Sequence, residues 1–101
     1  MNREEKHKAE IQKVGDAIRQ LLQTYRLEQR FDEATLIAAW PELVGAAIAR
    51  RTRKVYVHHK VLYVELTSSA MKADFMLHRQ RVLELLHQKF GRHIITDIVV
   101  R

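Results

Sequence analysis

Two short runs of alternating residues, Arg53–His58 and Val61–Thr67, stand two residues apart in the sequence. In the first, Val55 and Val57 share one side, with Lys54, Tyr56 and His58 on the other. In the second, Leu62, Val64 and Leu66 oppose Tyr63, Glu65 and Thr67. A period of two belongs to a strand with one buried face, and a two-residue gap at His59-Lys60 predicts an antiparallel hairpin. The gap lacks the Asn-Gly or Asp-Gly pair that such turns favour. A hairpin with one apolar face must be covered, so the rest of the chain has to supply helices that pack on it.

Helical periodicity surrounds the hairpin. Ile11, Val14, Ile18, Leu21, Leu22 and Tyr25 recur at spacings of three and four, which predicts a helix over residues 9–27. Asp32 is placed to cap a second helix through Ala34, Leu36, Ile37 and Trp40. Pro41, tolerated in a first turn, opens a short third helix to about Arg50. Ser68 and Ser69 offer a cap for a long helix over 70–89, whose apolar arc contains Met71, Phe75, Val82, Leu85 and Leu86 and is widened to one side by Met76, Leu83 and Phe90. Gly91 stops it, and Ile94–Val100 reads as a closing strand reached by a crossover. The expected order is helix, helix, short helix, strand, strand, long helix, strand. That is an α+β chain in two layers, with residues 1–8 flexible and 9–101 forming one domain. One sheet face is left to solvent or a partner.

Length agrees, since 101 residues suit one domain. No apolar run is long enough to span a membrane, and the mixed-charge start MNREEKHKAE is no signal peptide. The absence of cysteine excludes disulfides, thiol catalysis and cysteine-ligated zinc, and the reducing cytoplasm is the expected location. The net charge of +6 is unevenly spread. Residues 1–50 carry eight basic and eight acidic side chains; residues 51–101 carry ten and four. A basic surface in the second half fits a polyanionic partner.

The chemistry of catalysis is missing. The six histidines have no metal-ligand spacing, and His58 and His59 are adjacent where strand meets turn. Glu65 on a strand and Asp74 in a first helical turn have structural roles available to them. There is no GxSxG, and the glycines at 15, 45 and 91 are isolated, so no phosphate loop exists. The reading is a non-enzyme without metal or cofactor. The densest signal is basic: Arg50, Arg51, Arg53 and Lys54 occupy four of five positions. Arg50 and Arg51 suit a helix C-terminus, whereas Arg53 and Lys54 lack that reason. Lys60, Lys72, Arg79 and Arg92 are candidates to extend the patch toward phosphates. Tyr56 and Tyr63 are candidates to stack on unpaired bases, unless a helix covers them.

The run from Trp40 to Glu65, WPELVGAAIARRTRKVYVHHKVLYVE, resembles the DciA-like family, long catalogued as a domain of unknown function. The matching features are Trp40, Val44-Gly45, Ile48-Ala49, Arg51-Thr52, the pair Leu62 and Val64, then Ser68-Ser69. Leu83, Leu85, Leu86, Gly91 and Ile98 complete the pattern. Arg53 stands where the family commonly has proline, and Met71 where an early aromatic is frequent. The resemblance implies a KH-type fold and a bacterial protein that binds DNA and assists the replicative helicase. It makes Arg50, Arg51, Arg53 and Lys54 candidate DNA contacts. Many relatives use an extra flexible segment for partners, so helicase contact is expected here from the folded domain or the short N-terminus. The GxxG clamp of KH domains is absent. Two other readings remain: a protein-interaction module without nucleic acid, and an RNA-binding protein.

Overall fold

The computed structural model describes residues 2–101. Its elements are α1 (Arg3–Val44), α2 (Ala46–Arg51), β1 (Thr52–His58), β2 (Val61–Leu66), α3 (Ser69–Leu77), α4 (Arg79–Phe90) and β3 (Asp97–Val100). The chain divides into two compact units, one up to Phe31 and one from Asp32 to Arg101.

The fold is α+β, but the expected helix order needs three corrections. The helices predicted over 9–27 and from Asp32 are one continuous helix, α1. The residues between them, Glu28, Gln29, Arg30 and Phe31, include neither glycine nor proline, so nothing stops propagation. Asp32 is therefore no cap; its carboxylate lies 3.7 Å from the His93 imidazole. The break expected at Pro41 falls at Gly45. Pro41 sits in the last turn of α1, where its missing N–H removes a single bond to the preceding turn. Gly45, at φ 87°, then turns the chain through a conformation that side chains disfavour, and α2 begins at Ala46.

The long helix predicted over 70–89 is two helices, hinged at His78 (φ −106°, ψ 10°). The His78 N–H donates to the Phe75 carbonyl, a tightened i−3 bond, and the ladder restarts when Val82 N–H donates to the His78 carbonyl. The hinge changes the helical phase. An unbroken helix carries Val82, Leu85 and Leu86 inward behind Phe75. In the structure Phe75, Leu83 and Leu86 are buried, while Leu85 is 56% exposed. The N-terminal cap is as expected: Ser68 Oγ accepts from the Met71 N–H at 3.3 Å. Gly91, at φ 93°, closes α4.

The expected hairpin is present, and its register sets Val55 opposite Val64, Tyr56 opposite Tyr63 and Val57 opposite Leu62. Its turn is built from His59 and Lys60, both at positive φ (48° and 63°), the geometry of a two-residue primed turn without glycine. A register shift at the start of β1 makes Arg53 a bulge between Thr52 and Lys54. The sheet order is β1-β2-β3, with β3 parallel to β2. β3 begins at Asp97, not Ile94. Ile94 and Ile95 are apolar because they plug the core ahead of the strand, where both are buried. Leu62, Val64, Leu66 and Ile98 face that core, with Leu36 and Trp40 from the end of α1, Phe75, Leu83 and Leu86. Sheet and core thus belong to the second unit, rather than to one two-layer packing of all elements. Trp40 Nε1 donates to Thr52 Oγ1 at 3.2 Å, and that hydroxyl donates to the Ile48 carbonyl at 2.8 Å, which ties α1, α2 and β1 together.

Candidate nucleic-acid interface

Backbone pairing decides which basic residues meet. Arg51 and Thr52 enter β1 beside the end of β2: the Thr67 N–H donates to the Arg51 carbonyl at 2.8 Å. On the far side of β2, the Leu66 N–H donates to the Arg101 carbonyl at 3.0 Å, and the Arg101 N–H to the Val64 carbonyl at 2.8 Å. Arg50, Arg51, Arg53, Lys54 and Arg101 therefore gather at one end of the sheet, and all five are exposed. The bulge at Arg53 leaves that residue outside the ladder and re-aims it. Lys72 lies one turn into α3, which leaves β2 from the same end.

The other three candidates are elsewhere. Lys60 is in the hairpin turn, at the opposite end of the strands, with its carbonyl accepting from the Thr96 N–H at 2.7 Å. Arg92 is exposed on the approach to β3, whose start pairs with the start of β2. Arg79 is committed to the fold. Its guanidinium lies 3.1 Å from the Asp97 carboxylate and donates to the Ile98 carbonyl at 3.3 Å, fastening α4 to β3.

The tyrosines carry the second part of the site, on the sheet face turned from the core. Tyr56 and Tyr63 stack at 5.0 Å between centroids and 11° between planes. Lys54 Nζ lies 5.0 Å from the Tyr56 centroid, and the Arg101 guanidinium 4.9 Å from that of Tyr63. The result is a row of cation, ring, ring, cation across three strands. The rings face each other and the two cations, so a base stacks here only by displacing one of them. The single acidic neighbour in register is Glu65, opposite Lys54. Sequence reading missed Arg101. Its one signal is position: the first residue after an apolar strand, in a half already rich in positive charge.

Among the described residues, no three His, Asp or Glu side chains come together as metal ligands. An apolar cleft of about 570 Å³, walled by Trp40, Leu43, Ile48, Phe75, Val82 and Leu85, has Glu42 and Lys89 as its charged lining residues. No helix of the described residues is long and apolar enough to cross a membrane.

The family described as "Dna[CI] antecedent, DciA" matches residues 13–100. A "UPF0232 protein" of Corynebacterium glutamicum (strain R) is 34% identical over 59 residues, 58% of this chain. The match takes in 33% of that relative's length.

Proposed function

The chain belongs to the DciA family, and from that membership we propose that it is a DNA-binding accessory of the replicative helicase. The family is non-catalytic. The observation that carries the DNA-binding reading is the meeting of Arg50, Arg51, Arg53, Lys54 and Arg101 at one end of the sheet, with Glu65 as their acidic neighbour. Five exposed cations so placed suit phosphates on successive nucleotides and give affinity with little sequence preference. Lys72 extends this contact. Arg79, Lys60 and Arg92 stand outside it. Tyr56 and Tyr63 hold Lys54 and Arg101 in place, and open to a base when a cation moves onto a phosphate.

We read Asp32–Arg101 as a KH-type unit, because its order runs helix, short helix, strand, strand, helix, helix, strand. The junction between α3 and α4, Leu77-His78-Arg79, has no glycine, so the nucleotide clamp of KH domains is replaced here by the basic end of the sheet. A direct protein contact has its own support in the apolar cleft beside the exposed Leu85, which suits the contact with the helicase that this role requires.

Fluorescence anisotropy with labelled single- and double-stranded DNA tests the reading. Replacing Arg50, Arg51, Arg53 and Lys54 together with glutamine is expected to weaken binding at least 30-fold, roughly 0.5 kcal/mol or more per lost phosphate contact, with Trp40 emission unchanged. Equal affinity of the folded variant overturns the assignment of the site, and no DNA affinity of the wild type at low salt overturns DNA binding. Competition by RNA of equal length separates the two nucleic acids.

A further inference from the structure

The part of α1 before Asp32 presents an apolar stripe to solvent. Ile11, Val14, Ile18, Leu21 and Leu22 are between 49% and 71% exposed. At 100° per residue they fall within one narrow arc together with Tyr25. Helices in water owe most of their stability to burying such a face, and Gly15 and Thr24 make this one a weak helix in isolation. A covering surface is therefore part of what the sequence encodes.

The order of the stripe says what that surface is. Ile11, Val14, Ile18, Leu22 and Tyr25 are spaced three, four, four and three, the same read from either end, and Leu21, the one member outside that symmetry, falls opposite Gly15. A two-fold interface requires one patch to complement itself, and a stripe symmetric about its centre does so when two helices run antiparallel. Ile18 then meets Ile18 of the other copy, Val14 lies opposite Leu22, and Ile11 opposite Tyr25. Charge raises no barrier. Between Ile11 and Tyr25 the only charged residues are Lys13, Asp16 and Arg19, all off the stripe, and Asp16 and Arg19 pair with each other on the same helix. Gly15 and Ala17 are small residues at its borders, which allows the helices to approach closely. The five exposed side chains offer on the order of 500 Å² per copy, and the stems of neighbouring residues bring the pair near the roughly 800 Å² per partner of a stable interface.

We infer that Ile11–Tyr25 of α1 is a self-association surface, on which two copies of the chain pair antiparallel about Ile18. This is independent of the proposed DNA contact, which uses other residues.

Sedimentation equilibrium of the full chain, from about 1 to 200 μM, is expected to show the mass doubling from 11.9 kDa as concentration rises. Ile18→Asp is expected to hold the mass at one copy, with Trp40 emission reporting that the sheet unit is intact. Gln23→Asp, on the opposite side of the helix, leaves the doubling in place. The cysteine-free sequence permits a direct test of direction. Ile18→Cys is expected to join two copies through a short thiol-reactive linker. Ile11→Cys is not, because antiparallel pairing sets the two Ile11 positions about 21 Å apart along the axis. A wild type that stays at one copy throughout overturns the proposal and leaves the stripe to a different protein. Equal linkage of Ile11→Cys overturns the antiparallel pairing.

Discussion

Arg79 and Arg101 both lie against the sheet, yet their surroundings give them different work. Arg79 joins Asp97 and the Ile98 carbonyl, whereas Arg101 rests on the Tyr63 ring at the basic end. Arg79→Ala is expected to lower stability by about 1 kcal/mol, since its ion pair is partly exposed and screened, and to leave DNA affinity within two-fold. Arg101→Ala is expected to weaken DNA binding about three- to ten-fold, the loss of one phosphate contact, without moving the melting temperature. Thermal melts and anisotropy on the two variants check this reversal. Sequence reading placed Arg79 in the patch and passed over Arg101. Both surroundings have one cause: each arginine is positioned by β3, whose parallel pairing with β2 joins residues far apart in the chain. Lys60 shows a local feature that was legible only in part. The missing Asn-Gly was visible, but not that the turn would use positive φ at both residues regardless. Replacing His59-Lys60 with Asn-Gly is expected to stabilise the fold by about 1 kcal/mol, measured by denaturant midpoint, because it removes left-handed strain from two side-chain-bearing residues.

At the scale of elements, the strands were more legible than the helices. Alternation in β1 and β2 gave their extent and sorted their residues into two rows, because the side-chain period of a strand is two, while which row meets the core was settled only by packing. The helices lacked clear punctuation. No glycine or proline marks His78, so the hinge between α3 and α4 comes from tertiary packing, which brings Leu83 inward and leaves Leu85 outside. The phase change makes opposite predictions for two leucines separated by one residue. Leu83→Ala is expected to cost about 2–4 kcal/mol as a buried truncation, and Leu85→Ala less than about 1 kcal/mol, both by chemical denaturation. A larger cost at Leu85 would restore the unbroken helix. Thr52 links three elements through Trp40 Nε1 and the Ile48 carbonyl. Thr52→Val keeps the volume but strands a part-buried indole N–H, and is expected to cost about 1–3 kcal/mol.

Over the whole molecule, the surplus of positive charge in residues 51–101 was plain in the sequence, and so was the run Arg50–Lys54. Neither could say which of the ten basic side chains share a surface. That depends on strand order, on the bulge at Arg53 and on the parallel return of β3. The chain belongs to the DciA family, and under the proposed DNA-binding role the five cations at one end of the sheet are the contact surface.

The salt dependence of DNA binding tests it most directly. For these five phosphate contacts and that of Lys72, a plot of log affinity against log salt is expected to fall with a slope of about −5.4 on duplex DNA and about −4.2 on single strands. Removing Arg50, Arg51, Arg53, Lys54 and Arg101 together is expected to flatten it to about −1 or shallower. A slope that stays near its wild-type value in the folded variant would contradict the assignment of DNA binding to this end of the sheet.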